Sequence, residues 1–182
     1  MASSRWVVCL TTVLVLCTTA WRVTGQQEAI TRAIANLSVG TARGFVTFCQ
    51  MEENKQIFVS GNVTGLSPGK HGFHVHMYGD ISTGCKAAGP HFNPAGRKHG
   101  APDDDERHVG DLGNIEADSN GVATFEFYDP LLCFQGANSI IGRAVVVHEK
   151  EDDLGRTSHP ESPKTGNAGG RVGCGIIAVA AP

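Results

Sequence analysis

The decapeptide HGFHVHMYGD, residues 71–80, carries the pattern that decides the fold. His74 and His76 alternate there with the apolar residues Phe73 and Val75. Because successive side chains of a β-strand point to opposite faces, the two histidines share one face and the two apolar residues share the other. The stretch predicts a strand that faces a core on one side and offers a metal ion two imidazole nitrogens on the other. For the decapeptide alone, a half-buried strand that carries histidine by chance is the alternative.

On both sides of this decapeptide, the chain consists of short strand-like runs that are separated by turns rich in Gly, Pro, Asn and Asp. Turns such as Asn120-Gly121 favour antiparallel hairpins. The pattern predicts an all-β fold, a Greek-key antiparallel barrel or sandwich of about eight strands with two long functional loops. The predicted strands are Ala33–Leu37, Gly44–Gln50, Gln56–Val63, Gly72–His76, Gly113–Ala117, Val122–Tyr128, Arg143–His148 and Gly175–Ala180.

Two long segments, residues 77–112 and 149–174, interrupt this rhythm. They are rich in Gly, Pro, His and charged residues, and loops of such length in a compact domain are usually functional or disordered. The acidic run 103–106, taken alone, reads as a solvated turn. No repeat or change of composition divides the chain, so residues 26–182 are predicted to form one domain.

The first 25 residues read as a secretory signal peptide. Arg5 precedes an apolar run from Trp6 to Ala20, and small residues follow it. The run is short for a membrane anchor, although an uncleaved anchor is the alternative. We therefore expect a secreted, extracellular protein that is not held in a membrane.

The charge of the chain argues against nucleic acid as a partner. The whole chain has a formal net charge of −3, and removal of residues 1–25 takes away two arginines and no acid, which makes the charge −5. No basic patch interleaved with aromatic residues occurs.

Four cysteines remain after residue 25, and an even number in an exported chain indicates disulfides, with three complete pairings open. They are Cys49, Cys85, Cys133 and Cys174. Asn36-Leu37-Ser38 and Asn62-Val63-Thr64 are N-glycosylation sequons, which agree with export but are also found unused.

The histidines are concentrated in or beside the two long loops. His91, His99, His108 and Asp111 lie in the first loop, and three histidines with one carboxylate are typical of a tetrahedral zinc site. His74, His76 and the distant His148 suit an imidazole-rich ion such as copper. Scattered surface histidines are the alternative.

Four segments together resemble the copper/zinc superoxide dismutases in their order and spacing. They are GFHVHMYGD, GCKAAGPHFNPAGRKHGAPDDDERHVGDLGN, GRAVVVHEKEDDLG and KTGNAGGRVGCGIIA, and the resemblance runs from about Ala33 to Ala180. It implies a dismutase of superoxide that uses copper and zinc, most similar to the exported members of the family, and a homodimer.

The resemblance also implies roles for individual residues. It assigns copper to His74, His76, His91 and His148, and zinc to His91, His99, His108 and Asp111, with His91 as a bridge. It makes Asp152 the carboxylate that links His74 to His99, Arg171 the cation that receives superoxide, and Cys85 with Cys174 a disulfide. His71 would anchor a strand, and His159 has no counterpart and is expected in solvent.

Some features are left open by the resemblance. Cys49 and Cys133 have no counterpart, and a second disulfide ranks before an interchain bond or free thiols because of the oxidising compartment. Pro160 replaces an acid that many relatives carry, which alters steering charge. A glycan on Asn36, near the expected dimer contact, would put the dimer in doubt. A copper or zinc carrier without turnover, or a purely structural β-sandwich, are the rival functions.

Overall fold

The computed structural model describes residues 29–181, so the predicted signal peptide lies outside the described residues. Within that range short β-strands dominate, joined by turns and two long loops. The strands are β1 (Arg32–Leu37), β2 (Val39–Gly40), β3 (Arg43–Gln50), β4 (Ile57–Thr64), β5 (Gly69–His76), β6 (Asp111–Ala117), β7 (Ala123–Asp129), β8 (Ala144–His148) and β9 (Arg171–Val179). A 3-10 turn covers Cys85–Ala88, and a single-turn helix, α1, covers Ser162–Thr165.

The strands form one antiparallel sheet that curves into a nearly closed barrel. Their order is β6-β5-β8-β9-β1-β3-β4-β7, and the short β2 pairs with β9. The two end strands, β6 and β7, lie next to each other. This arrangement confirms the predicted all-β barrel.

Strand β5 has the two faces that the alternating pattern predicts. Phe73 and Val75 are completely buried in the core, where the Phe73 ring lies 5.1 Å from the Phe125 ring. His74 and His76 are on the other face and are also fully buried. A strand at the surface of a barrel has both faces buried only when another part of the chain covers the outside.

The first long loop provides that cover, because it bonds directly to the backbone of β5. Val75 N–H donates to the Gly110 carbonyl at 2.9 Å, and Phe92 N–H donates to the Val75 carbonyl at 2.8 Å. The second loop is attached nearby, where Gly72 N–H donates to the Lys150 carbonyl at 2.8 Å. Both loops are therefore held against the strand that carries the histidine pair.

Strand β9 begins at Arg171, four residues before the predicted start at Gly175, so the second loop is shorter than the sequence predicts. Gly173 and Gly175 weaken the strand signal, but here they serve close packing. A Cβ atom at Gly173 would lie 2.8 Å from Ala42 Cβ, and one at Gly175 would lie 2.1 Å from the Asn36 carbonyl oxygen. The prediction was wrong at this point because glycine also occurs where two backbones approach closely.

Among residues 29–181, no helix has the length and apolar character that a bilayer crossing requires.

Candidate metal centre

Four buried histidines meet on the outer face of β5. Their ligand atoms all lie within 4.8 Å of one another, and they come from β5, the first loop and the end of β8: His74, His76, His91 and His148. His76 Nε2 lies 3.3 Å from His148 Nε2, and the ring centres of His74 and His91 are 4.0 Å apart. The structure thus brings together the residues that the sequence analysis assigns to copper.

A second group surrounds the carboxylate of Asp111, at the start of β6. Asp111 Oδ1 lies 2.8 Å from His91 Nδ1, 3.0 Å from His99 Nδ1 and 3.0 Å from His108 Nδ1. These are the residues that the sequence analysis assigns to zinc. Ligand atoms of His91, His99 and Asp111 also lie within 4.8 Å of one another together with His74, whose ring packs on that of His91. His91 belongs to both groups.

Asp152 connects the two groups through one histidine of each, His74 and His99. Its Oδ2 lies 2.7 Å from His74 Nε2, and its Oδ1 lies 2.8 Å from His99 Nε2. Asn114 of β6 bonds both the backbone N–H and the carbonyl of Asp152, at 2.7 and 2.9 Å. A carboxylate fixed in this way orients both rings and directs the opposite nitrogen, Nδ1, of each into its group.

Three nitrogens in these groups are buried and have no hydrogen-bond partner among the described residues: His74 Nδ1, His91 Nε2 and His99 Nδ1. His99 Nδ1 is near the Asp111 carboxylate, but their geometry is not that of a hydrogen bond. A buried polar atom without a partner costs about 1–3 kcal/mol, and a bound cation removes that cost. Imidazoles alone suit copper and imidazoles with one carboxylate suit zinc, so the residues present fit both ions.

The electrostatics differ between the two groups. Burial, together with neighbouring imidazoles, lowers the pKa of His74 and His76 and brings the pKa of His148 to about 3. Burial also opposes protonation of His99, but the Asp111 and Asp152 carboxylates outweigh it and raise its pKa to about 9. Burial alone would raise the pKa of Asp111, yet three nearby imidazoles, of which His91 and His108 are hydrogen-bonded to its carboxylate, hold that pKa well below its usual range. The first group is therefore neutral and ready to bind a metal ion at neutral pH.

A cavity of about 260 Å³ opens onto the first group. Arg171, at the start of β9, is half-buried in its wall. Arg171 Nη1 donates to the Cys85 carbonyl at 2.8 Å, and Nη2 donates to the Gly89 carbonyl at 2.6 Å. The lining consists of His76, Pro90, His91, His148, Glu161, Thr165, Asn167, Gly169 and Arg171.

Gly89 is a functional residue that the sequence reasoning missed. Its carbonyl accepts from both Arg171 and His76 Nδ1, the latter at 2.8 Å. Its φ is +74°, and a Cβ atom there would lie 2.6 Å from the Tyr78 ring, so only glycine fits. The Gly-Pro pair at 89–90 signals a turn, but no residue type reveals which side chains a backbone carbonyl will receive.

Glu161, which lines the cavity, belongs to an ion pair that the sequence analysis does not single out. Lys164 Nζ lies 3.0 Å from Glu161 Oε1, and both side chains are largely exposed. Glu161 thus offsets much of the positive charge of Lys164. Arg171 has no acidic partner within residues 29–181.

A disulfide joins Cys85 to Cys174, across 89 positions of the chain. It ties the 3-10 turn of the first loop to β9, beside the carbonyls that hold Arg171. Cys49 and Cys133 are free thiols in the described part of the chain, and both are partly exposed. The second disulfide that the sequence analysis ranked first is therefore not formed. Cys49 lies on β3 and Cys133 follows β7, and β4 lies between these two strands in the sheet.

The remaining histidines lie where they were expected. His71 is buried, and its two ring nitrogens each lie 2.8 Å from a carbonyl oxygen, of His148 and of Ser67. It thus anchors β5 to the end of β8. His159 is exposed on the second loop.

The fold and the two linked groups define a β-barrel metalloprotein whose first metal group is open to small molecules. The family model for copper/zinc superoxide dismutase matches residues 42–177, and the chain belongs to that family. It is 54% identical over 138 residues to superoxide dismutase (Cu-Zn) A of Xenopus laevis, a match over 76% of this chain and 90% of that protein. The crystal structure of the clock protein EA4 superposes with a TM-score of 0.80 at 51% identity, covering 84% of this chain and 96% of the other.

Membership of this family makes the chain an enzyme, a superoxide dismutase among the oxidoreductases, with copper and zinc as its cofactors.

Proposed function

We propose that this chain is a secreted enzyme that converts superoxide to oxygen and hydrogen peroxide at a copper site linked to a zinc site. His74, His76, His91 and His148 would hold copper, and His91, His99, His108 and Asp111 would hold zinc. The observation that carries the proposal is the position of His91 in both groups. One of its nitrogens, Nδ1, lies 2.8 Å from Asp111, and the other, Nε2, is buried without a partner among the described residues.

Bound copper supplies one-electron oxidation and reduction of superoxide, while bound zinc supplies a fixed positive charge. The proton chemistry belongs to His91. Burial lowers its pKa, so a proton taken up at Nε2 is readily given to a peroxide anion in the cavity. The Asp111 carboxylate keeps the ring in place during this transfer.

Arg171 receives the substrate. Its guanidinium is held by backbone carbonyls rather than by a carboxylate, so its full charge faces the cavity. Burial lowers its pKa, but arginine remains a cation at neutral pH. A small anion that enters the cavity therefore has one strong attractive charge beside the copper residues.

The test measures metal content and superoxide consumption on the same purified protein. We expect one copper and one zinc per chain with rapid turnover. His91→Ala should change the copper spectrum and slow turnover, whereas His159→Ala, which changes an exposed histidine outside both groups, should alter neither. Unchanged copper spectra in His91→Ala would rule out the bridge, and full metal loading without turnover would identify a metal carrier.

Export and assembly belong to the same proposal. The apolar run before residue 25 supports secretion of a domain that spans residues 26–182, without a membrane anchor. Exposed apolar side chains at Tyr78 and Ile176 support contact between two copies of the unglycosylated chain in a homodimer. Sequencing the N-terminus of the secreted protein should give a start near Gln26, and Met1 in a membrane fraction would exclude export.

A further inference from the structure

An apolar patch surrounds Asn36 on the outside of the barrel. Asn36 of β1 pairs in register with Phe45 of β3, which is 47% exposed. On the other side, Ala35 pairs with Ile177, so the outward-facing neighbour of Asn36 on β9 is Ile176, which is 41% exposed. Ile34 and Ala178, also paired, extend the patch. We call these four apolar residues and Asn36 at their centre the Asn36 face.

Asn36 is also the first residue of the sequon Asn36-Leu37-Ser38. Its side chain points outward, is exposed, and makes no hydrogen bond to another residue of the 29–181 range. The second sequon is different. Asn62 on β4 is half-buried, and its Nδ2, the atom that a glycan would occupy, donates to Thr124 Oγ1 at 2.8 Å. The Asn36 side chain is therefore accessible for modification, whereas the Asn62 side chain is hydrogen-bonded within the sheet and serves as the comparison.

We propose that Asn36 carries an N-linked glycan and that this glycan covers the Asn36 face, so that the modified chain is a monomer and the bare chain a dimer. The inference rests on the proposed export, because the modification needs a lipid-diphosphate-linked oligosaccharide as donor. The bond from Asn36 Nδ2 to the anomeric carbon forms, the bond from that carbon to the diphosphate breaks, and an amide proton leaves with the diphosphate.

The glycan and a second copy compete for the same surface. A stable protein dimer buries about 800 Å² on each partner, with a closely packed and largely dry centre. Asn36 lies among the apolar residues that would form such a centre, so a hydrated sugar at that point holds the two surfaces apart. The same sugar shields Phe45 and Ile176 from contact with other proteins.

The experiment expresses the full chain in a secreting eukaryotic cell and determines modification by mass spectrometry and molar mass by sedimentation equilibrium. The parent protein and Asn62→Gln should be monomers with a glycan on Asn36. Asn36→Gln, and Ser38→Ala, which removes the sequon but keeps Asn36, should both lack that glycan and have twice the protein mass. Superoxide consumption per chain reports that each variant is folded, since Asn36 belongs to neither metal group.

Enzymatic removal of the glycan from the folded parent protein tests the same point without a variant, and we expect it also to double the molar mass. A parent that is dimeric with its glycan in place overturns the inference, as does a bare chain that stays monomeric. A secreted active chain with an unmodified Asn36 overturns this inference but leaves the proposed function standing. A chain retained in cells with Met1 in place overturns the proposed export as well.

Discussion

At the scale of single residues, Arg171 is a cation fixed by the backbone. Its two terminal nitrogens donate to carbonyls of the first loop, including a longer bond of 3.3 Å to Lys86. The Gly89 carbonyl that it uses also holds His76, one of the residues proposed to bind copper. The position of the charge and the position of the metal residue are therefore set by the same turn.

Replacing Arg171 by alanine should slow superoxide consumption by about ten- to a hundredfold, which corresponds to roughly 1.4–2.7 kcal/mol of lost transition-state stabilisation. Both metals should stay bound, because Arg171 donates only to carbonyls. Arg171→Lys is the matched control. It keeps the charge but loses the two-pronged hydrogen bonding, so its rate should lie between those of the parent and the alanine variant. A metal-loaded alanine variant with the full rate would contradict this role.

The buried imidazoles also predict how acid affects the metal-free chain. His148 has a pKa of about 3 in the fold and 6.5 as its ordinary value, so between these pH values the unfolded chain binds a proton that the folded chain does not. The free energy of unfolding should therefore fall as the pH decreases from 6.5 toward 3. His99 acts in the opposite direction, because its raised pKa gives a stabilisation that is lost as the pH rises through about 9.

Urea unfolding of the metal-free protein across this range measures both slopes. His148→Gln should flatten the acid slope by about one proton. An acid slope that His148→Gln leaves unchanged would show that this histidine is protonated in the fold.

At the scale of elements, the alternation in residues 71–80 was enough to predict β5 and the burial of Phe73 and Val75. It did not predict burial of the histidine face, because that depends on bonds from loop residues such as Gly110, which lie far along the chain. The alternation of side chains can be read from a few neighbouring residues, whereas the segment that covers a strand depends on the tertiary structure. The same distinction explains why β9 was predicted too short at its glycines.

The metal-binding residues could be predicted from their types, but the residues that hold them in position could not. The histidines and Asp111 indicate metal binding because imidazole and carboxylate are common metal ligands. The family resemblance then assigned them to two ions. Arg107 was not singled out, although it is 2% exposed and donates to the Asp111 carbonyl and to the Asp129 carboxylate, both at 2.6 Å. It follows an acidic run in the sequence, where an arginine is normally expected in solvent.

The disulfide between Cys85 and Cys174 should stabilise the domain and the first loop together. Replacing both cysteines by serine should lower the free energy of unfolding by about 2–5 kcal/mol, since the closed loop is long. It should also reduce turnover, because the Cys85 carbonyl holds Arg171. Replacing Cys49 and Cys133 by serine is the control, and we expect little change in either quantity. Equal losses in the two double variants, measured by chemical denaturation and rate, would argue against this role of the disulfide.

At the scale of the whole molecule, an acidic protein must attract an anionic substrate. Residues 26–182 have a net charge of −5, and Glu161 offsets Lys164 at the cavity mouth, so attraction depends mainly on Arg171. Added salt screens this attraction over a distance of about 10 Å at 0.1 M, so turnover should fall as ionic strength rises. The fall should be smaller in Arg171→Ala. A rate that is indifferent to salt in the parent protein would show that superoxide reaches copper without electrostatic guidance.

The pairing of β1 with β9 joins the beginning of the described chain to its end, and this has a consequence for synthesis on the ribosome. Asn36 emerges early, but the neighbouring strand that completes its surroundings starts only at Arg171. At a translation rate of about 5–20 residues per second, the interval is on the order of ten seconds. During that time the barrel cannot close, and under the proposed export β1 is accessible to the enzymes of the translocation channel. The order of the strands thus leaves the Asn36 sequon open to them before the fold is complete.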